Sequence, residues 1–227
     1  MKYFLLTSLC AAALASGACK DAPAGAQEYV TLDAAPTDDA FYAAVACGAA
    51  PGGDCAKPLL RWPAPKRRGL RVGLVSVTPM LEGPALERFE TGLDVAIAEI
   101  NAVGAGIALI RDDTDPDIAI HVVPTLPDTV MEGIGVDGLD GALLQLGRVA
   151  LASRDGEILR GLIAVSAHAP PDEVAPVLLE EVTQATGLMT DLRGPDLADS
   201  VFSEDMNLAT ALSARDAMAL RRHYPGE

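Results

Sequence analysis

The sequence predicts an α+β domain. Three observations carry that reading: a β-branched run at Leu70 to Val77, a long amphipathic helix directly after it, and a hairpin followed by a second apolar helix. The run "LRVGLVSV" is bounded by Gly69 and Pro79 and reads as the first strand. After Pro84, "ALERFETGLDVAIAEINAVG" puts Leu86, Phe89, Leu93, Ala96, Ile97, Ile100 and Val103 on one face at helical spacing, with Gly104 to stop it. Two further strands are expected at "GIALI" and "DIAIHVV", separated by the turn "RDDTDPD". "LGRVALASRDGEILRGLIAVSA" holds two apolar runs around Asp155-Gly156, a hairpin signal. In "PPDEVAPVLLEEVTQATG" the residues Val174, Leu178, Val182 and Ala185 share a helical face, Pro176 must fall in the first turn, and Gly187 is placed as a C-cap. Ser213 opens a last helix, "SARDAMALRRHY", with Asp216 three residues on to complete a capping box.

The N-terminus "MKYFLLTSLCAAALASGACKD" has one basic residue, Lys2, then an apolar run to about Ala15 and small residues before Cys19. That layout is an export signal over residues 1–18, and it is too short for a bilayer-spanning helix with proper flanks. Ser16-Gly17-Ala18-Cys19 resembles a bacterial lipobox, with Ser16 where leucine is usual. The expected product is a lipoprotein held on the periplasmic face of a bacterial membrane by a lipid on Cys19. Cleavage after Ala18 or after Ala24-Gly25-Ala26, giving a soluble periplasmic or secreted protein, is the alternative. Residues 19–58, rich in Ala, Gly and Pro, read as a tether with one anchored turn, its short apolar segment "DAFYAAVAC" being a candidate helix packing on the domain, and residues 59–227 read as the folded domain. Cys47 and Cys55 are expected to form a disulfide outside the main core, since an exported chain lives where disulfides persist.

Charge narrows the function classes. With Lys2 removed, 16 basic residues face 32 acidic ones, so the mature chain repels phosphate backbones and nucleic acid is not an expected partner. The basic cluster in "LLRWPAPKRRGLRV" reads as the solvated lead-in to the first strand, with contact to anionic lipid or a partner as the alternative. "GIGVDG" fits a glycine-rich phosphate pattern but lacks the adjacent strand and helix, and reads as a loop. "DDTDPD" lacks the sixth-place Gly and closing Glu of a calcium loop and reads as a solvated turn. His121, His168 and His223 have no ligand spacing, so no cofactor is expected; His121 reads as a strand residue.

The stretch "LEEVTQATGLMTDLR" has the spacing of the zinc-protease signature H-E-x-x-H-x-x-G-x-x-H-D without its histidines. Glu180, Gln184 and Thr190 stand at the three ligand positions, Glu181 at the catalytic one, Gly187 at the turn and Asp191 after the third ligand. A neutral amide and a threonine hydroxyl are poor zinc ligands, so no metal is expected. The order strand, long helix, two strands, hairpin, signature helix is similar to the metzincin catalytic domain, with "DPDIAIHVV" resembling its central strand and "LSARDAMALRRHYPG" its closing helix; Phe202 stands where the Met-turn would place methionine. More closely, "LLEEVTQATGLMTD", "DSVFSED" and "LSARDAMALRRHYP" resemble the bacterial domain of unknown function family 2927, which includes lipoproteins. These resemblances imply a zincin-like (metzincin-type) mixed sheet.

Three readings of the motif follow. Glu180 and Gln184 make fixed hydrogen bonds while Asp191 caps a turn; or Glu180 and Asp191 offer oxygen ligands to Ca²⁺ or Mg²⁺; or a carboxylate pair including Glu181 acts as acid and base. The expected function is a binding or scaffolding module, catalytically inactive, whose partner is an envelope protein or small ligand. The alternative is a hydrolase or peptidase with a non-standard metal or carboxylate mechanism and Glu181 as the candidate catalytic residue. An open cleft with convergent polar groups around Glu181 would favour the hydrolase, and a filled pocket the module.

Overall fold

The computed structural model describes residues 29–33, 35–205 and 208–226, so the expected export signal, 1–18, and the expected lipidation site, Cys19, lie outside the described residues. In chain order the elements are β1 (Tyr29–Thr31), α1 (Asp38–Cys47), a 3-10 turn (Ala64–Gly69), β2 (Leu70–Val77), α2 (Pro84–Ala102), β3 (Leu109–Arg111), β4 (Ile118–Val123), β5 (Thr129–Val130) and β6 (Leu143–Leu144). They continue with β7 (Gly147–Arg154), β8 (Glu157–Ser166), α3 (Val174–Gln184), β9 (Asp191–Arg193) and α4 (Ala214–His223). The α+β class and the mixed sheet are as expected: the principal sheet runs β3-β2-β4-β8-β7, parallel except for the β7 edge, which is antiparallel to β8.

Local chemistry explains most of these elements. Asp155 and Gly156 both adopt positive φ, 52° and 82°, which lets a tight turn match the twist of β7 and β8. Pro84 stands at the start of α2, where its missing N–H costs nothing. α2 buries Phe89, Leu93, Ala96 and Ile100, and Gly92 lets α3 approach so closely that a Cβ there would lie 2.9 Å from Leu178 Cδ1. α4 begins at Ser213 with the expected reciprocal capping box to Asp216. β3 starts later than "GIALI" suggests, because Gly106 is taken up by the C-terminal segment: its N–H donates to Tyr224 O at 2.7 Å.

Alternation along β4 divides the core. Ile118, Ile120 and Val122 join the main cluster beneath the helices, while Val123 faces a smaller cluster with Met131, Leu139 and Leu144 from the segment that crosses the other side of the sheet. "GIGVDG" lies in that crossing segment, with positive φ at Gly133, Gly135 and Gly138. His121, on β4 as expected, has both ring nitrogens buried and without a hydrogen-bond partner, and burial lowers its pKa.

The described part of the expected tether folds onto the domain. β1 pairs with β9, and α1 buries Phe41, Ala44 and Val45 in the main core, capped by Thr37 and ended by left-handed Gly48. α1 is the short apolar segment expected to pack on the domain, and it buries Phe41, Ala44, Val45, Ala46 and Cys47. The Cys47–Cys55 disulfide is present, but Cys47 is buried at the end of α1 rather than outside the core, and only Cys55 is exposed.

Two other expectations change. "DDTDPD" is more than a solvated turn, since Asp117 is buried and accepts from Lys66 Nζ at 2.6 Å and from Arg71 Nε at 3.2 Å. Burial opposes its ionisation, but these cations win and hold the carboxyl at about 2. Part of the basic cluster is thereby tied inside the fold, and Arg67 Nε donates to Trp62 O at 2.7 Å.

Candidate functional site

α3 is the element on which the site is built. Val174, Val177, Leu178, Leu179, Val182 and Ala185 are buried, so packing fixes the helix independently of its polar residues. Burying each aliphatic side chain is worth about 1.5–3 kcal/mol. Its C-terminal carbonyls are satisfied by side chains: Trp62 Nε1 donates to Ala185 O at 2.9 Å, and Tyr224 Oη donates to Thr186 O. Gly187 is not the cap, because the last turn continues through Ala185 and Thr186. It stands beyond, at φ 109°, where a Cβ would lie 2.1 Å from Leu60 O. The neighbouring His223 is structural, its ring bridging Leu60 O at 2.7 Å and Tyr42 Oη at 3.2 Å.

One flank of α3 opens onto a cleft of about 630 Å³. The helix contributes Glu180, Glu181 and Gln184, and Asp191 enters from β9. The β7 edge supplies Gly147, Arg148 and Val149, and the disulfide loop brings up Lys57. That loop is held by Ala56 N–H and Lys57 N–H, both donating to Cys47 O. Gln184 Nε2 donates to Asp191 Oδ1 at 2.5 Å, in keeping with the reading of the motif as a set of fixed hydrogen bonds.

Glu181 differs from the rest. Only 6% of it is exposed, and its Oε2 is buried without a hydrogen-bond partner. Burial, with the nearby Asp191 charge added and the Arg148 charge opposing, raises its carboxyl well above the ordinary 4.5 and favours the protonated form. Gly147 makes room for it: a Cβ at that position would lie 2.2 Å from Glu181 Oε1 and 2.6 Å from Cγ.

The motif is therefore only partly assembled. Glu180, Glu181, Gln184 and Asp191 converge on the cleft, whereas Gly187 packs behind the helix and Thr190 is buried away from it, with its Oγ1 unpartnered. Among the described residues, no group of three or more His, Cys, Asp or Glu is arranged to hold a metal ion. Lys57, Gly147 and Arg148 were not signalled by the sequence; the alternating pattern placed the last two on a strand but not beside α3. Phe202 is fully buried, its ring 6.3 Å from Phe41, and does not line the cleft.

No curated protein matches this chain. Residues 137–227, which carry the β7–β8 hairpin, α3 and α4, match the family model described as Protein of unknown function (DUF2927).

Proposed function

We propose that the chain is an envelope lipoprotein whose zincin-like domain is a ligand-binding module, with the cleft over α3 as its binding site. The observation that carries this reading is the make-up of the 630 Å³ cleft, whose described lining combines apolar side chains and an unsatisfied buried carboxyl oxygen with neither His nor Cys. The zincin-like part of the reading rests on the order of elements and on the motif spacing. Export through residues 1–18 and a lipid on Cys19 complete it. Nine residues would then separate the anchor from Tyr29, so the folded domain would stay within roughly 30 Å of the bilayer surface. Loss of detergent partitioning in Cys19→Ala tests the anchor; wild-type protein in the soluble periplasm would contradict it.

An open cleft is the outcome that favours a hydrolase over a filled scaffold, so the second reading has an observation behind it: Glu181 and Asp191 as an acid and base pair. Against it, the described lining holds neither His nor Cys.

A fragment screen followed by ¹H–¹⁵N shifts, run beside peptidase, esterase and glycosidase assays of wild type and Glu181→Gln, separates the two. Binding predicts shifts clustered at Gly147, Arg148 and Gln184 and no turnover. Turnover that disappears in Glu181→Gln would promote the hydrolase, and the absence of any shifts at the cleft would defeat the binding module.

A further inference from the structure

We propose that the cleft takes an alkylammonium group, such as a lysine side chain or a polyamine, with Glu181 as the acceptor at its inner wall. This rests on the cleft being a ligand site and adds the chemical class of the ligand. The first support is the orphaned Glu181 Oε2, an acceptor that is buried and unpartnered yet belongs to a residue lining an open cavity. A buried polar atom left unpaired is costly, and an occupant carrying N–H donors would satisfy it.

The second support is the charge around it. α3 presents Glu180 and Glu181, with Glu173 just before the helix; β9 presents Asp191; and the segment beyond Ser203 presents Glu204 and Asp205. The basic groups in the wall are Lys57 and Arg148, so six carboxyls face two cations. Arg193 lies 3.5 Å from Glu204 and 3.2 Å from Asp205, and counting it still leaves an excess of three carboxyls. Such walls concentrate cations and repel carboxylates and phosphates.

The third support is shape. Leu146, Val177, Met189 and Leu208 give the same cleft apolar wall area against which a methylene stem can lie while its head meets the acids. A bare metal ion would leave that apolar area unused.

Ammonium binding at Glu181 carries a proton signature. In the empty cleft the carboxyl favours its protonated form; an entering ammonium pairs with the carboxylate, and the displaced proton passes to solvent. Affinity therefore rises with pH, set by Glu181 together with Asp191 and Arg148, which face it from β9 and β7.

Calorimetry with Nα-acetyl-L-lysinamide, in buffers of different ionisation enthalpy, tests the proposal on the signal-free chain. We expect binding with proton release, roughly tenfold or more weakening for the Nε-acetylated isostere, and loss of the proton release in Glu181→Gln. Gly147→Ala, which crowds the Glu181 side chain but keeps its carboxyl, should also weaken the probe. Equal binding of lysinamide and its Nε-acetyl form, or binding indifferent to Glu181→Gln, would overturn the proposal. So would no binding of either probe; fragment shifts at the cleft would then leave the binding module standing and remove only the ammonium.

Discussion

Two buried carboxyls, on two helices of the same domain, are treated in opposite ways. Asp216 at the start of α4 is wholly buried and accepts from Ser200 Oγ at 2.6 Å, Ser213 N–H at 3.0 Å and Val201 N–H at 3.1 Å. Burial raises its pKa, and those hydrogen bonds act against the rise. Glu181, in the middle of α3, is almost as buried, but its Oε2 has no partner and its neighbour Asp191 pushes the pKa the same way as burial does. The first acid is structural, because every part of its geometry is used to hold a helix end and the Ser200 segment together. The second is expensive to the fold and faces a cleft, which is how a group kept for binding differs from one kept for stability.

The largest effect should come from removing packing rather than charge. Leu178→Ala takes a fully buried side chain from beside Gly92 and should cost about 2–5 kcal/mol in urea unfolding. A loss near zero would mean that polar contacts, not packing, hold α3. Next, Asp216→Ala removes a capping box and strands the Ser200 hydroxyl and two backbone N–H groups, at a cost of about 2–4 kcal/mol. Stability unchanged by this substitution would erase the contrast between the two acids.

How much of this was legible in the sequence depends on how local each signal is. β2, α2, the hairpin and α4 were readable because periodicity, Asp155-Gly156 and Ser213 with Asp216 act within a few residues of one another. α1 was legible as the one apolar segment of the Ala-, Gly- and Pro-rich stretch, whereas β1 and β9 are three residues each, defined only by pairing with one another. The motif spacing located Glu180, Glu181, Gln184 and Asp191 but could not say that Thr190 turns away, since that depends on its N–H donating to Val45 O from α1. Gly147 and Lys57 reach the cleft through sheet register and through the disulfide loop, which are tertiary facts with no sequence pattern of their own.

Acid should act on a third buried group, His223. Burial first, with the Arg61 and Arg67 charges adding and the Leu60 carbonyl opposing, holds it at about 4 against an ordinary 6.5. Because the folded value is depressed, its share of stability is present above pH 6.5 and is lost as pH falls towards 4, on the order of 2–3 kcal/mol. Urea unfolding of wild type and His223→Gln across that window checks it: the wild-type slope should be steeper. Equal slopes would place the acid sensitivity elsewhere.

The smallest effect, and the one of opposite sign, belongs to Glu181→Gln. The folded value of Glu181 is raised, so its relative stabilisation is present below the unfolded value and is lost as pH rises through the folded one. The amide escapes that loss, so the variant should match wild type in acid and exceed it at neutral pH and above. Melting curves over a pH series would reveal the divergence; a variant less stable at neutral pH would mean that the carboxylate has a structural partner after all.

The most direct test is a ¹³C NMR titration of the Glu181 side-chain carboxyl in the ligand-free protein spanning residues 19–227. We expect a midpoint well above 4.5, displaced downward when Nα-acetyl-L-lysinamide is added. A midpoint at or below 4.5 in the empty protein, unmoved by the probe, would contradict that expectation, because Glu181 would then already be paired within the fold and the cleft would have no unsatisfied acid to offer.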